Sequence, residues 1–132
     1  MEDSAVNSYV NDLTTLQNMI KNNEKSNVTK NITQENVNDT SLKGWTILHR
    51  ASKENDTEIV KTLINHHANI DALDKTGETP LHKAVRQNNF ETAQQLVANK
   101  ANINIQNMFG WTPLHLAAKN QNEPIETLLL SK

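Results

Sequence analysis

The chain has 132 residues, with 13 basic and 15 acidic side chains and a formal net charge of −2 at pH 7. This near-neutral balance gives no footprint for nucleic acid or an anionic membrane, and the absence of cysteine excludes disulfides and cysteine-ligated metals. No apolar run reaches the ~18 residues of a membrane-spanning helix, and the N-terminus lacks the apolar core of a signal peptide. We therefore expect one folding unit that acts as a monomer inside the cell, in the cytoplasm or nucleus.

The first 41 residues contain two kinds of sequence. In residues 1–25, apolar side chains recur at spacings that favour two short helices, and we expect this segment to cap one end of the fold. The side chains are Val6, Tyr9, Val10, Leu13, Leu16, Met19 and Ile20. Residues 26–41 are polar and rich in asparagine, with Val28, Ile32 and Val37 isolated among them, so we expect a mobile insertion loop there.

The rest of the chain repeats one phrase every 33 residues. Gly44–Ala51 has the sequence GWTILHRA, Gly77–Ala84 has GETPLHKA, and Gly110–Ala117 has GWTPLHLA. This period divides the chain into units 42–76, 77–109 and 110–132, the last of which stops before its closing loop. A period of this length is typical of solenoids, in which each unit buries its apolar side against its neighbours.

Each unit predicts two helices with a break between them. The threonine of the phrase suits a helix N-cap because its hydroxyl can accept a free backbone N–H, and the proline that follows it in two units suits the first helical position. The first helices are predicted over 47–53, 80–86 and 113–119, and the second over 57–66, 90–99 and 123–131. The residues predicted to take the left-handed conformation that ends a helix are Asn55, Asn88 and Gln121.

The 33-residue period and the phrase Thr-Pro-Leu-His-x-Ala resemble the ankyrin repeat. The resemblance is close over residues 42–132 and weak over residues 1–25, which would form a degenerate capping repeat. It implies an all-α solenoid of stacked helix-turn-helix units joined by β-hairpin-like loops. In such repeats the histidine of the phrase, here His49, His82 and His115, hydrogen-bonds the backbone of a neighbouring loop.

The resemblance also implies that a partner would bind at the hairpin tips and the exposed side of the first helices. The candidate residues are Trp45, Lys53, Lys75, Arg86, Met108, Phe109, Trp111 and Lys119. The basic candidates among them suit a protein partner with an acidic patch, and Met108–Phe109 is the preferred apolar anchor because a loop tip gives a phenylalanine little structural use. In the alternative interpretation, the tryptophans only cover neighbouring hairpins and the lysines are merely solvated.

Lys53, Arg86 and Lys119 occupy equivalent positions in the three units and form a basic column. A second column of equivalent positions contains Trp45, Glu78 and Trp111, and we expect it to face outward as well. One modification site is also implied. Asparagines in ankyrin loops can be hydroxylated when they follow the pattern Leu-x5-(Asp/Asn)-(Ile/Val)-Asn, which residues 96–104 match. Asn104 is therefore a candidate hydroxylation site.

Motifs for catalysis and for metal or phosphate binding are missing from the sequence. It contains no glycine-rich phosphate loop, nucleophile elbow or HExxH motif. His49, His82 and His115 stand in different units, and stacked helices about 10 Å apart keep their side chains too distant to share one zinc ion. We expect no catalytic residue, metal or cofactor.

The sequence thus favours a non-enzymatic adaptor or inhibitor that binds a protein through its concave face and hairpin tips. One alternative is a viral or host regulator similar to the inhibitor-of-NF-κB ankyrin proteins, and another is a fragment of a larger ankyrin scaffold. Exposure of Leu128 and Leu130 would favour a partner, whereas coverage by further repeats would favour the fragment. A nucleic-acid binder is disfavoured because Glu54, Asp74 and Glu78 interrupt the basic column.

Overall fold

The computed structural model describes residues 32–33 and 36–132 of the chain. The expected capping segment, residues 1–25, lies outside these residues, as does Val28. The described part is all-α, with no strand, and its six helices are α1 (Ile47–Lys53), α2 (Thr57–Asn65), α3 (Pro80–Arg86), α4 (Phe90–Ala98), α5 (Pro113–Lys119) and α6 (Glu123–Leu130). The first helix of each unit has the predicted bounds, and each second helix ends one residue earlier than predicted.

The helices stack in two layers, as the 33-residue period predicts. The first helices α1, α3 and α5 pack on one another in chain order, the second helices α2, α4 and α6 do the same, and each first helix also packs on the second helix of its own unit. One hydrophobic core runs through all three units. Ala51, Ala84 and Ala117 are fully buried between the layers, where their small side chains allow neighbouring helices to approach closely.

The phrase Thr-x-x-His begins each first helix with a reciprocal cap. The backbone N–H of His49 donates to Thr46 Oγ1 at 3.3 Å, and the backbone N–H of Thr46 donates to His49 Nδ1 at 3.0 Å. Histidine therefore occupies the place that Glu or Gln has in the usual capping box. The same geometry recurs at Thr79–His82 and Thr112–His115.

The caps also fix which ring nitrogen of each histidine carries the proton. Because Nδ1 accepts a backbone N–H, the proton lies on Nε2, which can donate to the next unit. His49 Nε2 donates to the Glu78 carbonyl oxygen and His82 Nε2 to the Trp111 carbonyl oxygen, both at 2.9 Å. The expected bond to a neighbouring loop is thus confirmed for these two residues, whereas His115 bonds only Thr112 of its own cap among the described residues.

The breaks between helices have the predicted left-handed backbone. The φ angles of Asn55, Asn88 and Gln121 are 55°, 59° and 55°. His67 and Lys100, which follow the second helices, are left-handed as well, with φ of 67° and 71°. Neither was predicted: lysine does not favour this region, and the enrichment of histidine there is too weak to mark one residue.

Ile32 and Val37 correct the expectation of isolated apolar residues in a mobile loop. Both are buried in the common core. A turn brings them inward: the backbone N–H of Val37 donates to the Thr33 carbonyl oxygen at 3.0 Å, and the backbone N–H of Thr33 donates to Asn36 Oδ1 at 2.8 Å. Two apolar residues without helical or strand periodicity give no signal of burial, so only the packing identifies them.

Candidate binding surface

The hairpin tips are held in shape by one side chain each. Asp74 Oδ1 accepts the backbone N–H groups of Thr76 and Glu78, both at 2.9 Å. At the equivalent position, Asn107 Oδ1 accepts the backbone N–H groups of Phe109 at 2.9 Å and Trp111 at 3.0 Å. The tips are therefore rigid turns, and the side chains they present are fixed in position.

Neighbouring tips are also joined to each other through the backbone. The N–H of Lys75 donates to the Lys43 carbonyl oxygen at 3.1 Å, and the N–H of Met108 donates to the Thr76 carbonyl oxygen at 2.9 Å. The tips approach so closely at Gly44, where φ is +77°, that an added Cβ would lie 2.9 Å from the backbone nitrogen of Lys75. The tips thus form one continuous edge.

The tip edge displays both apolar and basic side chains. Met108 is 65% exposed and Phe109 is 73% exposed, although Phe109 stands on a turn that hydrogen bonds hold rigid. Lys43 and Lys75 are exposed on the adjoining tips. Large apolar side chains that remain exposed on fixed backbone are typical of interaction sites.

The candidates on the first helices differ in their surroundings. Lys53 is half-buried at the end of α1. The Lys119 ammonium is exposed at the end of α5 and lies 5.2 Å from the centre of the Trp111 ring. The Arg86 side chain is 42% exposed, but its guanidinium is bound to Glu78, with Nε 3.1 Å from both carboxylate oxygens. The three candidates therefore do not form a uniform basic column.

Glu78 corrects the expectation that its column faces outward. The residue is buried, and its carboxylate accepts Lys83 Nζ at 2.8 Å and Asn107 Nδ2 at 2.9 Å in addition to Arg86. The same Lys83 ammonium lies 2.8 Å from Asp74 Oδ2. We call Asp74, Glu78, Lys83 and Arg86 the charge cluster. The charges of its two acids and two bases balance. Asp74 and Glu78, which were expected to interrupt the basic column, therefore add no net charge to it.

The charge cluster shifts the acidity of its members. Burial alone would raise the pKa of Glu78, but hydrogen bonds from Arg86, Lys83 and Asn107 outweigh burial and lower its pKa to about 2. Burial likewise opposes ionisation of Asp74, yet bonds from Lys83 and the adjacent backbone lower its pKa. Both carboxylates are therefore ionised at neutral pH and serve as structural anchors.

The two tryptophans of the phrase have different neighbours. Trp45 is half-buried, and its ring centre lies 4.3 Å from Lys83 Nζ and 4.7 Å from the Arg50 guanidinium carbon. Trp111, also half-buried, makes its cation–π contact with Lys119 at the edge of the stack. The alternative in which a tryptophan only covers neighbouring residues therefore fits Trp45, which covers part of the charge cluster, more closely than it fits Trp111.

Sequence reasoning did not predict that Lys83 and Asn107 bind Glu78. The sequence offers one signal for this ion pair. Glu78 is the only charged residue at its position of the phrase, and the basic Lys83 follows it in the same unit. Asn104, the candidate hydroxylation site, is exposed, and its backbone N–H donates to Asn102 Oδ1 at 2.9 Å.

Within residues 32–33 and 36–132, no three side chains of His, Cys, Asp or Glu are grouped closely enough to hold a metal ion. Among the helices of the same residues, none has the length and apolar character needed to cross a membrane.

Comparison with known proteins gives matches over most of the chain. A family model described as ankyrin repeats (3 copies) matches residues 5–107, and a second, described as ankyrin repeats (many copies), matches residues 87–130. No curated protein matches the sequence significantly.

Proposed function

The chain belongs to the ankyrin-repeat family, whose members are generally protein–protein interaction modules, and we propose that it is a non-enzymatic adaptor or inhibitor of one protein partner. The proposed binding surface consists of the hairpin tips and the exposed ends of the first helices. Binding there needs no metal or cofactor. The module would act in the cytoplasm or nucleus.

The observation that carries this proposal is the exposed pair Met108–Phe109 on a rigid tip. Phe109 is 73% exposed, while its own N–H and that of Trp111 are bound by Asn107 Oδ1. An aromatic side chain on an ordered turn loses little conformational entropy when it enters a partner's pocket, which is the property expected of a binding anchor.

Charge supports a partner with acidic residues beside an apolar pocket. Lys75 is exposed on the tip next to the Met108–Phe109 pair, and Lys43 is exposed on the tip beyond it. Asp74 and Glu78 do not offset them, because both are paired within the charge cluster. Complementary charge would mainly speed association and orient the partner, whereas the apolar anchor would supply most of the affinity.

A capture experiment with matched variants tests the proposal. The wild-type chain, Phe109→Ala and Leu130→Ala would each be immobilised and exposed to lysate of the source cells, after circular dichroism has shown that all three are folded. Leu130 is the control because it is 70% exposed, nearly as much as Phe109, but lies on α6 away from the tips. We expect a protein that binds wild type and Leu130→Ala and is lost with Phe109→Ala.

A second pair of variants separates charge from shape. Lys75→Glu changes the tip edge, and Lys61→Glu makes the same change at an exposed position of α2. A captured partner that binds Lys75→Glu and Phe109→Ala as well as it binds wild type would place the binding site elsewhere and refute the proposal.

A further inference from the structure

The second unit shows how this scaffold holds a carboxylate with two bases of one helix. Lys83 Nζ lies 2.8 Å from Glu78 Oε1, and Arg86 Nε lies 3.1 Å from both carboxylate oxygens. The two bases are three residues apart on α3, so their side chains emerge from neighbouring positions on one face of the helix. A carboxylate beside two bases at this spacing is therefore bound by both of them.

The first unit has the same two bases but lacks the acid. Arg50 and Lys53 occupy, one period earlier, the positions of the bases that hold Glu78, and α1 has the same length and the same N-terminal cap as α3. Trp45 stands at the position of Glu78. In the third unit Leu116 replaces the first base, so the first unit is the one in which both bases are present and the acid is missing.

Neither base of the first unit has a close partner in the described part of the chain. Arg50 Nη1 lies 4.0 Å from Glu54 Oε1, which is longer than a hydrogen bond, and Arg50 Nε is shielded from solvent without a hydrogen-bond partner. Lys53 is half-buried, and its ammonium forms no ion pair or hydrogen bond with residues 32–33 or 36–132. Two positive charges and one negative charge thus leave one positive charge unbalanced among these three side chains.

Trp45 supports the Arg50 guanidinium in a position suited to an anion. The guanidinium carbon lies over the ring, 4.7 Å from its centre. A guanidinium placed over an aromatic ring keeps N–H groups that point away from it, and two of them match the two oxygens of a carboxylate. The ring is half-buried and also contacts Lys83 Nζ at 4.3 Å, so the support is fixed by the fold.

We infer that Arg50 and Lys53 form a carboxylate-binding site for an aspartate or glutamate side chain of the protein partner. The acid would take the role that Glu78 has in the next unit, with Arg50 donating from its guanidinium and Lys53 supplying the second cation. The inference rests on the proposed function for the existence of a partner, and it adds which chemical group that partner places on α1. It uses none of the side chains of the tips.

A single carboxylate fits these surroundings better than a polyanion. The charges of the charge cluster beside Trp45 are balanced, so the excess next to it amounts to the one positive charge of the first unit. The repeated phosphates of a nucleic acid would bring further negative charges toward Glu54, whereas one acidic side chain neutralises the excess.

A nuclear magnetic resonance titration of the isotope-labelled full chain tests the inference. The probe is a short peptide of alanines with one central glutamate, blocked at both ends, and the control peptide has glutamine in its place. We expect the glutamate peptide, at low ionic strength, to shift the Nε–H resonance of Arg50 and the indole N–H resonance of Trp45 in a saturable manner. The glutamine peptide should shift neither.

Matched variants separate this site from general attraction between charges. Lys53→Gln should weaken binding of the glutamate peptide about fivefold, whereas Lys61→Gln removes the same charge from an exposed position of α2 and should leave binding unchanged. Glu54→Gln removes the acid nearest to Arg50 and should strengthen binding about twofold, while Glu58→Gln, exposed on α2, should not. Circular dichroism shows beforehand that the variants are folded.

The outcomes separate this inference from the proposed function. Absence of shifts at Arg50, equal shifts with both peptides, or equal effects of Lys53→Gln and Lys61→Gln would overturn the carboxylate site, even if a partner is captured through Phe109. Conversely, a partner whose capture does not depend on the tips would refute the proposed binding surface and leave the titration result in place.

Discussion

Lys83 Nζ lies 4.3 Å from the ring centre of Trp45, a residue of the preceding unit, and the same ammonium contacts two buried carboxylates. The aromatic face and the carboxylates of Asp74 and Glu78 together replace the water that a lysine head group would otherwise bind. The Trp45 ring thus forms one wall of the charge cluster, and its position in the phrase has a structural role in addition to any role in binding.

Removal of this wall should destabilise the fold. We expect Trp45→Ala to lower the free energy of unfolding by about 2 kcal/mol, because it removes aromatic packing and lets water reach Lys83. Trp111→Ala should cost no more than about 1 kcal/mol, since its cation–π partner Lys119 is exposed at the end of the stack. Urea unfolding monitored by circular dichroism measures both, and equal losses would contradict this assignment.

Neutralising Glu78 should lower the free energy of unfolding more than neutralising an exposed acid does. Glu78→Gln removes the shared partner of Lys83 and Arg86, and we expect a loss of roughly 3 kcal/mol because buried charges are left with fewer partners. The matched control is Glu54→Gln, since Glu54 is exposed and its ion pair with Arg50 is long, at 4.0 Å. That control should change stability by less than about 0.5 kcal/mol. A Glu78→Gln variant as stable as the control would show that the charge cluster contributes nothing.

Stability should fall in two steps as the pH is lowered. Burial lowers the pKa of His49 and of His82 below 6.5, so below that pH the unfolded chain binds protons that the folded chain does not. Stability is therefore complete above pH 6.5 and decreases as the pH falls below it. Asp74 and Glu78 act in the same direction at lower pH, since the pKa of Glu78 is lowered from 4.5 to about 2.

Urea midpoints at pH 7.5, 5.5 and 3.5 check this prediction. We expect the urea midpoint to decrease from pH 7.5 to pH 5.5 because of the histidines. A further decrease from pH 5.5 to pH 3.5 should follow because of the carboxylates. His115→Gln is the control, because His115 is exposed and should leave the first step intact. A midpoint that is equal at pH 7.5 and 5.5 would rule out the contribution of the buried histidines.

The left-handed residue in the last unit offers a stabilising change. Gln121 has φ of 55°, a conformation that glycine adopts without strain, so Gln121→Gly should raise the free energy of unfolding by about 1 kcal/mol. Gln87 has φ of −94° at the end of α3, and Gln87→Gly should instead lower stability by roughly 0.5 kcal/mol. Thermal unfolding of the two variants decides the matter, and shifts of the same sign would contradict the argument.

The parts of the fold that follow the 33-residue period could be predicted from the sequence. The threonine of the phrase and the apolar positions recur in every unit, so the N-caps were predicted, and the helices were predicted with errors of one residue at most. The histidine bonds were implied by the resemblance, and they form at His49 and His82. Ile32 and Val37 belong to no period, and their burial depends on a turn that positions them against other units. Lys100 was missed because lysine does not favour a left-handed backbone, and His67 was missed because the enrichment of histidine there is too weak to mark a single residue.

The candidate surface was harder to predict because charged side chains choose among several partners. Arg86 aligns with Lys53 and Lys119, but only Arg86 has a buried glutamate within reach. That glutamate replaces a tryptophan of the phrase, and its partner Lys83 aligns with Arg50 and Leu116. The acid that replaces tryptophan at one position is thus paired with a base at another position. An alignment of three units does not reveal such a pair when each position is compared separately.

The charge cluster fits within a block of one 33-residue period, and this makes the chain modular in the sense relevant to gene duplication. All four residues of the cluster lie within residues 74–86, so loss of the block 74–106 would remove both acids and both bases of the cluster together. Asn107 would then follow Leu73 in place of Asp74, and the Trp111 carbonyl oxygen would face His49 in place of that of Glu78. A recombination event of this length would shorten the array by one unit without leaving a charge stranded in the core.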